Sequence, residues 1–237
     1  MRLAKNKRTF VLMAGSLVLT AVLLLLLLNK EADAPAPGPA PTPVVTEEKP
    51  APSPPSAKTD KFDKTAYSID KPSSPWVVVN KKRPLPRDYA PSNLAAAGNT
   101  QVSVVISKNL ESLLGEASKT GNPLRVISGY RSYNTQASVY NNYVRTNGRA
   151  EADTFSARPG HSEHQTGLAV DLGNGTCDLE ICFGNTAAGK WLANNAYKYG
   201  FIIRYEKGKE SVTGYQYEPW HLRYVGTELA VEINKTK

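Results

Sequence analysis

The stretch SEHQTGLAVD, residues 162–171, changes character half-way along. It opens polar, passes through Gly167 and closes on Leu168, Ala169 and Val170 before ending at Asp171. A short apolar run behind a glycine reads as a compact strand entered from a turn. His164 and Asp171 stand at the two ends of that turn and strand. Such a path can bring an imidazole and a carboxylate to one point although seven positions separate them.

Working outward, short strands and helices alternate irregularly around this segment. Apolar residues at Val102, Val105, Ile106, Leu110, Leu113, Leu114 and Ala117 keep helical spacing and predict a helix from about Thr100 to Lys119, ended by Gly121. LRVIS (124–128) reads as a strand and Tyr133 to Thr146 as a helix with Gly148 as its stop. Further on, Thr186 suits the N-cap of a helix that Gly200 ends, and FIIRY (201–205) is a strand. The chain then turns at residues 206–209 and returns through Tyr215–Tyr217 into HLRYV (221–225). Val77 to Val79 form a β-rich run broken by Pro84 and Pro86. Without regular βαβ alternation, the expected class is α+β, a small mostly antiparallel sheet with helices packed against it.

The N-terminal side is different. Arg2, Lys5, Lys7 and Arg8 precede an apolar run from Phe10 to Leu28 that ends in six leucines. That length can span a hydrocarbon core, and the basic flank would hold the N-terminus in the cytoplasm. Residues 1–30 are therefore expected to be a single-pass membrane anchor, with a cleaved signal peptide as the competing reading. Residues 31–75, beginning EADAPAPGPAPTPVVTEEKPAPSPPSAK, have little to bury and read as a semi-stiff Pro-rich linker. The folded domain is expected at 76–237, outside the cytoplasm. From residue 71 onward 20 Lys and Arg face 14 Asp and Glu, so most of the net +8 lies there. This balance suits anionic wall polymers or lipid headgroups as well as a merely soluble surface. Nucleic acid is a poor candidate because no recognition motif accompanies the charge. The only cysteines are Cys177 and Cys182. Zinc knuckles need more thiolates, and outside the cytoplasm a local disulfide is the better reading, with two free thiols as the alternative.

The chain has three histidines, His161, His164 and His221. His164 and Asp171, with His221 from EPWH as a third member, would make an ordinary zinc set with a fourth position open. A lone histidine beside a strand is usually structural; here the joint occurrence of the three beside turn-formers favours a site. Glu218, three residues before His221, is the candidate base. In a regular strand the two would point to opposite faces, so a bend at Pro219 is required. In SGYRSYNTQ (128–136), Arg131 follows a strand and a turn, a platform from which a guanidinium can grip a carboxylate or stabilise an oxyanion. A serine hydrolase is disfavoured: no G-x-S-x-G elbow exists, and Ser162 lies too near His164 in sequence.

S-x-H-x-x-G-x-A-x-D at Ser162–Asp171, E-x-W-H at Glu218–His221 and SGYRS at Ser128–Ser132 together resemble the VanY-type D-alanyl-D-alanine carboxypeptidases. These are zinc peptidases related to the VanX-like dipeptidases and to hedgehog-type domains. The resemblance covers about residues 76–230, with VNKKRPLPRDY similar to the usual lead-in. It implies that His164, Asp171 and His221 hold Zn2+, that Glu218 is base and then acid, and that Arg131 stabilises the oxyanion or grips substrate. Ser128, Gln136 and Ser162 would contact the substrate. His161 stays outside the metal shell. The implied partners are peptidoglycan stem peptides, reached from the membrane on the linker, with loss of the C-terminal D-alanine. An L,D-carboxypeptidase and a non-catalytic wall-binding module of the same fold are the alternatives.

Overall fold

The structure is a computed structural model and describes residues 62–236. The expected anchor at 1–30 and the first part of the expected linker, to residue 61, lie outside the described residues. Among the described residues no helix is long and apolar enough to cross a membrane.

The fold is α+β. Strands β1 (Leu94–Ala97) and β2 (Thr100–Ser103) form a hairpin, and helix α1 (Val104–Lys119) follows directly. The main sheet holds β3 (Arg125–Ser128), β4 (Ala169–Gly173), β5 (Phe201–Tyr205) and β6 (Glu218–Tyr224) in the order β3-β4-β6-β5, every pair antiparallel. Helices α2 (Tyr133–Asn147) and α3 (Arg149–Phe155) lie between β3 and β4 in the chain. Helices α4 (Ala187–Asn195), α5 (Glu210–Thr213) and α6 (Thr227–Lys235) complete it.

The main core lies between the sheet and the buried stripe of α1. Ile106, Leu110 and Leu113 pack with Val170 and Leu172 of β4, Leu222 of β6, Phe201 of β5, and Leu192 of α4. The stripe recurs at three- and four-residue steps, the spacing of one helix face. In β5 the burial alternates, Phe201, Ile203 and Tyr205 buried and Ile202 and Arg204 half-buried, as expected of a strand with two unlike faces. Thr186 caps α4 through a hydrogen bond accepted from the Gly189 amide, and Gly200 ends the following 3-10 turn at φ 82°.

Two expectations differ from what is observed. The helix expected from Thr100 begins at Val104: Thr100–Ser103 pair with Leu94–Ala97 across Gly98, which holds φ 61°, and Ser103 caps α1. Val77 to Val79 form no strand. Val77 and Val79 are buried with Leu85, while the Val78 amide donates to Ile69 O, outside any sheet. Prolines 75, 84 and 86 withhold the amide donors a ladder there would use.

Residues 62–75, linker-like in composition, touch the domain. Phe62 and Tyr67 pack on the Trp76 ring, and the Arg83 guanidinium reaches Ile69 O and the Asp70 carboxylate. Trp76 Nε1 donates to Val225 O, and Arg223 donates to Pro75 O and Val77 O.

Candidate active site

The turn and strand of residues 162–171 do as their sequence suggests. Glu163–Thr166 form a single 3-10 turn, Gly167 closes it at φ 67°, and β4 runs on to Asp171. A Cβ on Gly167 would stand 3.0 Å from the Ser103 amide nitrogen and 3.1 Å from Pro91 Cγ, so this corner has room only for glycine. Asp171 and His221 are directly paired across β4 and β6, which places the third residue beside the second.

His164, Asp171 and His221 are all buried, and each offers one ligand atom within 4.8 Å of the others. His164 Nε2 lies 3.3 Å from Asp171 Oδ2, and His221 Nδ1 lies 3.2 Å from Asp171 Oδ1. His164 Nδ1 is 2.7 Å from Gly129 O, which can only accept, so the proton sits on Nδ1 and Nε2 faces the cluster as a lone pair. Asp171 Oδ1 is buried and accepts no hydrogen bond. Such an orphaned anionic oxygen, on a carboxylate set between two imidazole rings, is what a divalent cation would satisfy. The charges agree. Burial opposes a proton on His221, yet the Asp171 and Glu163 carboxylates close beside its ring raise its pKa to about 10. Burial pushes Asp171 up, but His164 and His221 outweigh it and hold the carboxyl well below the usual range. The pocket thus demands positive charge at this point, and the donor set fits a metal.

Glu218 is buried, with Oε2 3.7 Å from His221 Nδ1. Burial raises its pKa to about 7, against the pull of His221. The required bend exists. Ile203 pairs with Leu222 but Tyr205 pairs with Glu218, so β6 spends two extra residues opposite β5, around Pro219. That bulge lets Glu218 and His221 share one cavity despite their parity.

Arg131 leaves β3 after Ser128. Its Nη1 donates to Gln136 Oε1 at 2.8 Å and its Nη2 to Ser128 Oγ at 2.9 Å. Gln136, 1% exposed, is itself held through Nε2 to Ala157 O. The guanidinium is thereby fixed, and Arg131 borders a cavity of about 350 Å³. Arg131, Gln136, Ser162, His164, Asp171, Glu218 and His221 line that cavity; Ser128 does not, and it acts on Arg131 instead. Val139, Tyr143, Phe155 and Leu179 give it an apolar wall. His161 is outside, its Nδ1 2.8 Å from Asn80 O. Cys177 and Cys182 are joined in a disulfide, which pins the loop carrying Leu179.

One group escaped the sequence reading. Glu163, 2% exposed, places Oε1 2.8 Å from Arg204 Nε and 3.0 Å from Arg223 Nη1, with Oε2 3.4 Å from His221 Nε2. Burial pushes its pKa up, but Arg223 and Arg204 overcome that and keep it ionised, well below the usual range. The available signal was an arginine inside each of two apolar strands, FIIRY and HLRYV, since a buried guanidinium needs an acid.

Two imidazoles, a carboxylate, a separate buried glutamate and a fixed guanidinium around one cavity are the parts of a metallohydrolase site. The VanY D-alanyl-D-alanine carboxypeptidase family model matches residues 99–227. The carboxypeptidase-type protein YodJ of Bacillus subtilis is 42% identical over 70% of this chain and 65% of its own length. The chain thus spans just under two thirds of that relative. Among solved structures, the LdcB LD-carboxypeptidase, described with the molecular basis of peptidoglycan recognition, is 42% identical with a TM-score of 0.66, over 70% of this chain and 83% of that one. A vancomycin-resistance D,D-pentapeptidase VanY, solved as a glutamate-to-alanine mutant in complex with Zn(II), is 36% identical with a TM-score of 0.60, over 67% and 92%. The chain belongs to the VanY D-alanyl-D-alanine carboxypeptidase family.

Proposed function

We infer that this chain is a zinc-dependent carboxypeptidase that removes the C-terminal D-alanine of peptidoglycan stem peptides, outside the cytoplasmic membrane. The observation that carries this reading is the convergence of His164, Asp171 and His221 in the cavity that also holds Glu218. The expected anchor at residues 10–28 and the Pro-rich segment behind it support the location.

His164 Nε2, Asp171 and His221 Nδ1 would hold the metal. When bound, Zn2+ polarises the scissile carbonyl and lowers the pKa of water toward about 7. Glu218, whose own pKa is about 7, takes the proton of the attacking water as its oxygen bonds to the carbonyl carbon. It then delivers that proton to the departing amine as the C–N bond breaks. Arg131, locked by Gln136 and Ser128, meets the carbonyl oxygen or the substrate's terminal carboxylate without reorganising. Gln136 and Ser162 add polar contacts, and the apolar wall accepts the alanine methyl group and the aliphatic stem.

A second reading, an L,D-carboxypeptidase acting on tetrapeptide stems, is favoured by one observation: the LdcB LD-carboxypeptidase is more similar to this chain than VanY is, 42% against 36% identical. Incubating the purified full chain with tetrapeptide and pentapeptide stems, with and without chelator, separates the two by mass. Loss of alanine from pentapeptide alone is expected; loss from tetrapeptide alone selects the second reading. Binding without turnover on either selects a non-catalytic wall-binding module.

A further inference from the structure

We propose that Glu163 is a positioning residue: it holds the His221 ring with its proton on Nε2, so that Nδ1 is the nitrogen presented to the metal. The inference rests on the metal reading above and adds to it a residue that the ligand set does not contain.

The two histidines of the cluster use opposite nitrogens. His164 faces Asp171 with Nε2, and Gly129 O fixes its other nitrogen as the proton carrier. His221 faces Asp171 and Glu218 with Nδ1. Its Nε2 points away, and Glu163 Oε2 at 3.4 Å is its partner there. A carboxylate only accepts, so this contact keeps a proton on Nε2; the proton on the Asp171 side, at Nδ1, is then the one a metal would displace, exposing the Nδ1 lone pair. Glu163 is not free to swing aside. Arg204 and Arg223 both donate to Oε1, leaving Oε2 for the imidazole. Arg223 is 2% exposed and is fixed in turn by Pro75 O, Val77 O and Tyr224 O.

This arrangement makes a near-isosteric change informative. In Glu163→Gln the two guanidinium groups require the amide oxygen, because they cannot accept. The amide NH2 is then turned toward His221 Nε2, which must become an acceptor. The ring proton moves to Nδ1, the nitrogen the metal needs. Shape is kept and the tautomer is reversed.

The test is zinc affinity of the purified full chain, read by competition with a chromogenic chelator under conditions where circular dichroism shows each metal-free variant folded. Glu163→Gln is expected to weaken zinc binding about 10- to 100-fold. Arg204→Gln disturbs the same network but leaves Glu163 on both Arg223 and His221. It is expected to lower the melting temperature while zinc affinity stays within about threefold, since that change does not touch the tautomer. Equal zinc affinity in Glu163→Gln and the unaltered chain overturns the proposal, and so does an equal loss in both variants. Nitrogen-15 NMR of histidine-labelled unaltered chain with zinc can still overturn the proposal if Glu163→Gln fails to fold. A His221 ring metallated at Nδ1 and protonated at Nε2 is expected, and metallation at Nε2 sinks it. If the unaltered chain takes up no zinc, the ligand set falls together with this inference; if it binds zinc but the variant binds equally, only this inference falls.

Discussion

At the scale of single residues, the site divides labour between groups that hold and groups that transfer. Glu218 lies beside the metal cluster without being needed for its convergence, and burial places its pKa at about 7. Glu218→Ala is therefore expected to keep zinc bound while hydrolysis of stem peptide falls about 100- to 10,000-fold, the range for loss of a general base. Metal content and turnover measured on one preparation check this; loss of both together would make Glu218 a ligand or a structural group. Much at this scale was legible in the sequence, for a physical reason. The glycine between His164 and Asp171 announces a turn, and the apolar run announces a strand. The geometry of that path then leaves few places for the two side chains. Glu163 was not legible by the same route. It fills a place that the S-x-H pattern leaves unspecified, and its meaning depends on Arg204 and Arg223 arriving from two other strands.

At the scale of elements, irregularities do the positioning. The β5–β6 bulge around Pro219 turns Glu218 toward His221, and between Val126 and Ser128 the β3–β4 register shifts beside Asp171. Gly167 is the sharpest case, with a left-handed backbone and no space for a methyl group. Gly167→Ala is expected to cost about 1–3 kcal/mol of stability through backbone strain and to displace His164 relative to Asp171. Chemical denaturation and zinc affinity should both register it; an unchanged zinc affinity would show that the turn does not set the ligand geometry. Helices were legible where the apolar stripe was long, as in α1 and α2. The hairpin β1–β2 was hidden because Thr100–Ser103 run into the periodicity of α1, and α3, α5 and α6 because they are short and amphipathic only against partners brought by the fold.

At the scale of the whole molecule, the site stores like charge in a dry interior, and stability should carry its signature. Without metal, Glu218 titrates at about 7 against an ordinary 4.5, and His221 at about 10 against 6.5. Both are raised in the folded state, so between about pH 4.5 and about pH 10 these two groups hold more protons folded than unfolded, opposed below about pH 6.5 by buried His164, whose pKa is lowered. Stability from these groups is complete at the acid end of that window and is lost as pH rises. The chelator-treated chain is expected to melt higher near pH 5 than near pH 9, and Glu218→Gln to flatten the lower part of the profile. Zinc should stabilise more as pH rises, because protons and metal compete for His221. Melting scans across pH with and without zinc check the sign; a metal-free chain that gains stability from pH 5 to 9 contradicts it.

The hold of Arg223 on Pro75 and Val77 reaches beyond the reaction chemistry. The family match starts at residue 99, yet a guanidinium sealed inside the protein draws two of its acceptors from more than twenty residues earlier, and Trp76 clasps Val225 from the same place. A fragment trimmed to the matched span would lose two of the four oxygens that accept from Arg223 together with the Trp76 contact to Val225, and is expected to melt lower than the longer chain. The smallest autonomous piece of this protein is therefore expected to have its front edge upstream of Pro75, in sequence that looks by composition like dispensable tether.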